Sequence, residues 1–255
     1  MKIAIITGAS SGMGALFVKQ IERLYHDLDE IWVLARRRER METLQNHVKT
    51  NLRIFEGDLR SESTFRQLES SLKEYQPDLR MLVNAAGFGK VGSVEKIAEE
   101  EQLHMIDVNC KSLTHMILSC LPYCSRGTRI VNLASAASFC PQPSFAVYAA
   151  TKSYVLSFSR ALGVELSEKG IFVTAVCPGP VETEFFDIAG NSGNALKVMS
   201  MAKPEKVVKQ ALLDARKRKS VSIYGISMKS ANVATKILPH RLVLKVMKRF
   251  WQGDK

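Results

Sequence analysis

Short apolar runs recur along the chain at Lys2–Thr7, Glu30–Ala35, Leu52–Glu56, Arg80–Asn84, Arg129–Leu133 and Phe172–Cys177. Each is strand-length and apolar on both faces, the pattern of a parallel sheet covered by helices on its two sides. Between these runs, apolar positions return at helical spacing near 13–26, 38–49, 62–75, 99–120 and 145–168. The alternation predicts one doubly wound α/β domain, in which ligands sit beyond the carboxyl ends of the strands. The rhythm breaks at a loop near 184–202 and again after Ser220. There a short strand, Val221–Tyr224, leads to a helical pattern beyond Pro239. The division expected is a catalytic body over 1–225 and a C-terminal extension over 226–255.

Composition narrows the class. Of 255 residues, 46% are hydrophobic and 24% charged, which are globular values. No apolar run approaches the roughly 18 residues that span a bilayer, and the start of the chain has no signal-peptide cleavage pattern. The five cysteines, at 110, 120, 124, 140 and 177, form no CxxC pair, so reduced thiols and a cytoplasmic location are expected. The net charge of +11 is concentrated at one end: residues 203–255 hold 14 Lys and Arg against 3 Asp and Glu. Leu242, Val243, Val246, Met247, Phe250 and Trp251 share one side of the last helix, with Arg241, Lys245, Lys248 and Arg249 on the other. Such a helix could meet a membrane surface or an acidic acyl carrier, or pack on the body or on a second subunit.

The first strand ends in Thr7-Gly-Ala-Ser-Ser-Gly-Met-Gly14 and opens a helix. Glycines at 8, 12 and 14 permit a tight turn and let a pyrophosphate approach backbone N–H groups at the helix N-terminus. The second strand ends in Ala35, Arg36 and Arg37, where a fold that binds a free ribose hydroxyl would place an acid. An acid would repel a 2′-phosphate and a guanidinium can grip it, so NADP(H) is predicted over NAD(H). Arg36 is the first candidate for that contact and Arg37 the second. Arg38 and Arg40 read as the solvated face of the next helix.

Tyr148-Ala-Ala-Thr-Lys152 places a phenol and an ammonium on one helix face, where the charge is expected to lower the phenol's pKa and tune it as a general acid/base. Ser135 follows the strand Arg129–Leu133 at a carboxyl edge. With Asp58, Asn84-Ala-Ala-Gly87, Asn109 and Pro178-Gly-Pro-Val-Glu-Thr183, these motifs resemble the short-chain dehydrogenase/reductase family over roughly residues 2–183. The resemblance implies a Rossmann-type fold and a catalytic set of Asn109, Ser135, Tyr148 and Lys152. Tyr148 would give a proton to a carbonyl oxygen, Ser135 would hold that oxygen, and Asn109 would hold a relay water. Lys152 would bind the ribose. The implied cofactor contacts are Gly8, Ser10, Ser11, Gly12, Met13, Gly14, Arg36, Arg37, Asp58, Leu59, Asn84, Ala85, Gly87, Pro178, Gly179, Val181 and Thr183. Two departures are visible: Ala85 replaces the usual second Asn of that turn, and the Val-Asp-Gly-Gly ending of many tetrameric members is missing.

Phe88, Ala137, Phe139, Phe145 and Phe185 are the expected substrate lining, with Cys140, Pro141, Phe186, Ile188 and Met199 nearby in sequence. Such a lining suits a lipophilic ketone, either a 3-oxoacyl thioester or a steroid or bile-acid ketone. That pairing, and the basic tail, look like the 3-oxoacyl reductase and hydroxysteroid dehydrogenase subgroup. A homodimer is expected, with a tetramer open. A dinucleotide-sensing regulator on the same fold would have no need of a tuned phenol. The arginines at 36–40 lack interleaved aromatics, so nucleic acid is not expected. His104 and His115 read as packing or surface residues and the cysteines as core thiols, so no metal site is expected.

Overall fold

The computed structural model describes residues 1–22, 25–190 and 201–252. The side chains of Phe250 and Trp251, and all of Met199, lie outside them. The strands are β1 (Lys2–Thr7), β2 (Glu30–Ala35), β3 (Asn51–Glu56), β4 (Asp78–Asn84), β5 (Cys124–Leu133), β6 (Phe172–Val176) and β7 (Val221–Ser222). They form one parallel sheet in the order β3-β2-β1-β4-β5-β6-β7. The order reverses between β1 and β4, and the crevice at that switch point lies beyond Thr7 and Asn84.

Alternation along the strands explains why their central positions are apolar on both faces. Ile3, Ile5, Trp32, Leu34, Leu79, Leu82 and Ile130 point into one layer. Ala4, Ile6, Ile31, Val33, Met81, Val83 and Val131 point into the other. The first layer is closed by α3 (Glu62–Tyr75), α5 (Leu113–Cys120) and α6 (Ala146–Glu165) through Phe65, Leu68, Leu72, Met116, Ile117, Val155 and Leu162. The second is closed by α1 (Gly12–Ile21), α2 (Arg38–Leu44) and α8 (Pro204–Arg216) through Phe17, Val18, Ile21, Met41, Leu44, Val208, Ala211 and Leu212.

Three regions differ from the sequence expectation. The helix expected over 99–120 is α4 (Glu99–Ile106), a π-helical stretch (Asp107–Ser112) and α5. The widened turn carries Asn109, 1% exposed, toward the crevice side of α6. The loop expected at 184–202 holds a short α7 (Phe185–Ala189), and Val181 bridges Ala202 at its base. Finally α8 and α9 (Ile226–Ile237) had no counterpart, whereas α10 (His240–Gln252) follows Pro239 as expected. In α8 two of the inward residues are alanines, too small to mark a stripe. In α9 no described residue is fully buried, so its pattern carries no core signal.

Candidate active site

A cleft of about 390 Å³ runs along the carboxyl edge of the sheet. Its walls include Gly8, Ser10 to Gly14, Arg36, Arg37, Asp58, Leu59, Ala85, Gly87, Phe88, Thr183 and Phe185. Glycine is required at the turn for different reasons at different positions. Gly12 has φ +51, which side chains resist, and a Cβ on Gly14 would collide with the carbonyl oxygen of Gly8. Ser11, the N-cap of α1, makes no side-chain cap and the first turn has no acid. The N-terminal amides of α1 are thus left for an anion. Thr7 Oγ1 accepts from the amides of Ala85 and Ala86 at 3.1 and 3.2 Å, which ties the end of β1 to the turn after β4. Asn84 donates to Asn132 at 2.9 Å, while its Oδ1 is buried without a protein partner. A turn with open amides and an orphaned amide oxygen at the switch point fit a dinucleotide.

The arginines divide differently from expectation. Arg37 pairs with Glu184 at 3.1 Å and donates to Ser10 Oγ at 3.3 Å, and Arg40 pairs with Glu184 at 2.6 Å. Arg40 is therefore part of a clasp across the cleft mouth and not merely a solvated side chain. Arg38 does behave as expected, pairing with Glu42 one turn on. Arg36 forms no ion pair among the described residues and lies close enough to Asp58 to help hold that carboxyl below its usual range, after the larger effect of Arg60. Arg60 grips both oxygens of Asp58, at 2.7 to 3.1 Å. Glu184 was missed because its two partners lie 147 and 144 residues away, with no local signal to join them.

The expected catalytic residues converge. Tyr148 is 6% exposed, and the Ser135 hydroxyl lies near enough to its phenol to oppose part of the effect of burial. Ser135 Oγ also accepts from the Ala137 amide at 3.1 Å, so it caps the turn Ala136–Phe139 and addresses the phenol at once. Lys152 Nζ donates to Leu133 O at 2.7 Å and stands 5.7 Å from the Tyr148 ring centre. Burial pushes the phenol up to about 12, Ser135 opposing it, and pulls the ammonium down to about 8. The expectation that the ammonium would lower the phenol's pKa is therefore corrected: desolvation by burial sets the direction. Asn109 gives both amide hydrogens to protein, to Phe88 O at 2.9 Å and Thr151 Oγ1 at 3.0 Å, and its Oδ1 accepts from the Phe88 amide. It clamps the Phe88 turn onto α6.

Phe145 stacks on Tyr148 with ring centres 4.3 Å apart, and Phe185 tilts against it at 5.4 Å. Phe88, Ala137 and Met105 belong to that cluster, with Ala149, Val91 and Val147. Phe139 does not join it, packing instead against the main core beneath α6. Gly89, which the sequence did not single out, lies where a Cβ would come within 2.7 Å of the Tyr148 ring. On the far side Gly179 lies under Met228 of α9, the Ala136 amide donates to Pro178 O at 2.8 Å, and Thr183 faces Gly12. His104 lies 3.5 Å from Glu100 and lines the cleft wall, His115 lies 3.3 Å from Glu69 and stacks on Phe65, and no described cysteine is bonded to another. Among the described residues no metal-binding cluster occurs.

The buried ammonium carries a stability cost. Between the lowered folded value and 10.5 the unfolded chain binds the extra proton, so stability rises with pH through that window and the cost is complete below about 8. At neutral pH it is on the order of 3 kcal/mol. Lys152→Met is thus expected to raise Tm by several degrees at pH 7, with the gain shrinking toward pH 10.5. Calorimetry at the two pH values checks this.

Fold and site together define a dinucleotide-dependent oxidoreductase. The chain belongs to the short-chain dehydrogenase family, whose model, described as short chain dehydrogenase, matches residues 2–194. It is 31% identical to the NADP-dependent 3-hydroxy acid dehydrogenase of Escherichia coli over 201 residues, which covers 76% of this chain and 80% of that one. It is 34% identical to sulfoacetaldehyde reductase 2 of Chromohalobacter salexigens, over 72% and 74% of the two chains. A solved short-chain dehydrogenase of Sphingobium yanoikuyae in complex with NADPH superposes with a TM-score of 0.79 at 25% identity, covering 100% of this chain and 98% of that one.

Proposed function

We propose that this oxidoreductase interconverts a lipophilic ketone and its secondary alcohol, a 3-oxoacyl thioester or a steroid or bile-acid ketone. The cofactor is NADP(H). One observation carries the substrate class: the phenol ring packs among the apolar side chains of Phe88, Ala137, Phe145, Phe185 and Met105. The relatives are named for different substrates, so the lining is the better guide.

Bound in the cleft, the nicotinamide supplies or takes up the hydride. The Gly8–Gly14 turn would hold its pyrophosphate and Arg36 its 2′-phosphate. Asp58 and Leu59 would meet the adenine, Asn84, Ala85 and Gly87 would back the ribose, and Pro178, Gly179, Val181 and Thr183 would flank the carboxamide. Lys152 would hold the nicotinamide ribose. Ser135 holds the substrate oxygen while Tyr148 Oη donates the proton. A relay water would use the remaining lone pair of Asn109 Oδ1. With the phenol pushed up to about 12, Tyr148 is protonated at neutral pH and ready to act as the acid, and Lys152 stabilises the phenolate it leaves. Ketone reduction is therefore expected to fall as pH rises through about 8, where Lys152 loses its charge. A reduction rate constant level from pH 6 to 10 would exclude Lys152 from that step.

The enzyme is proposed to be cytoplasmic and homodimeric. Exposed Leu103, Leu118 and Tyr154 on α4 to α6 offer an apolar face for a second copy, and all five cysteines are free thiols. A panel of acyl thioesters, steroids, bile acids and small charged aldehydes, followed by NADPH oxidation, tests the substrate class. Lipophilic ketones should give the highest kcat/KM; preference for a charged aldehyde would overturn it.

A further inference from the structure

The helical pair α9–α10 presents a surface that the chemistry of the cleft does not explain. Its inner side is seated on the body. Met228 lies over Gly179, α9 packs against the Ala136–Phe139 turn, and Val243 of α10 is buried. Its outer side carries Ile226, Val233 and Ile237, which recur at helical spacing and are 84%, 54% and 75% exposed. Leu238, Leu242 and Val246 continue the exposed aliphatic surface into α10.

The charges on this pair are of one sign. Lys229 and Lys236 border the stripe on α9, and α10 adds Arg241, Lys245, Lys248 and Arg249, with no Asp or Glu anywhere between 226 and 252. Solvated helix faces elsewhere in the chain mix signs, as in the pairs Arg38–Glu42 on α2 and Arg66–Glu62 on α3. Here cations stand beside branched aliphatics and none has an acid to pair with on its own helices.

We propose that the outer face of α9–α10 docks on an anionic lipid bilayer, the aliphatic stripe entering the headgroup boundary and the lysines and arginines meeting lipid phosphates. Helices that lie in a bilayer surface combine these two features. A second copy is a poorer occupant. A two-fold contact would set this cationic face against itself, with no acid in it to balance the charge. The inner side of the pair rests on the turn that Ser135 caps, so the docked face lies behind the substrate side of the site.

The test uses the full chain and needs no substrate, so its outcome is independent of the proposed reaction. Sedimentation with vesicles of phosphatidylcholine, with and without phosphatidylglycerol, is the measurement. Binding should require the anionic lipid and weaken in high salt. It should fall about tenfold in Lys245→Glu/Lys248→Glu, and about as much in Val233→Asn/Ile237→Asn. Both variants should keep the parent's Tm and its NADPH binding, which shows them folded. No sedimentation with anionic vesicles would overturn the proposal, as would equal binding by the folded variants. It would also be overturned if light scattering showed that Val233→Asn/Ile237→Asn dissociates a dimer, or if the wild type bound an acidic acyl carrier and not the vesicles.

Discussion

Tyr148→Phe will lower turnover by about a hundred- to ten-thousand-fold while leaving NADPH affinity within a factor of a few. Among the described residues of the aromatic cluster the phenol oxygen is the one group that can hand over a proton, and Ser135 lies beside it. Removing the oxygen keeps the ring stacked on Phe145 at 4.3 Å, so the cluster around it is preserved. Stopped-flow hydride transfer and fluorescence titration with NADPH separate the two effects. A variant retaining near-full activity would remove Tyr148 from the chemistry. Loss of NADPH binding in parallel would mean that the hydroxyl supports the cofactor as well as the proton transfer.

Arg36→Ala will weaken NADPH about ten- to hundredfold and NADH hardly at all. A bidentate charge-assisted contact is worth roughly 1.5–3 kcal/mol, and one factor of ten corresponds to about 1.4 kcal/mol. Arg37→Ala should cost less, because Arg37 is already engaged by Glu184 and Ser10, while Arg36 has no ion pair among the described residues. Dissociation constants for both nucleotides, measured without substrate, decide it. Equal losses toward NADPH and NADH in Arg36→Ala would reject the 2′-phosphate contact.

Much of this was legible in the chain itself. β1, β2 and β6 were readable because they are buried on both faces along nearly their whole length, so apolarity runs through almost every position and needs no partner to be recognised. The glycine turn was readable because close backbone approach excludes a side chain at Gly14, a local requirement. Tyr148 and Lys152 were paired by helical spacing alone. Less visible were α8, whose inward side is partly alanine, and α9, whose aliphatic residues face outward. The aromatic lining was legible only in part. Phe145 and Phe185 reach Tyr148, but Phe139, two residues beyond the buried Ala137, turns into the core.

The order of apolar runs, the phosphate turn and the catalytic spacing were set by local geometry, and local geometry is written in consecutive residues. What the chain could not state is what burial does to a charge and which distant groups meet. The pKa of Tyr148 moved opposite to what its spacing from Lys152 implied and that of Lys152 fell, because desolvation depends on everything packed around them. The clasp from Glu184 to Arg37 and Arg40 exists only once β2 and the segment after β6 are folded to the same crevice. The fold therefore decided which arginine remains open to the cofactor, since ion pairing acts through space and sequence separation does not measure it.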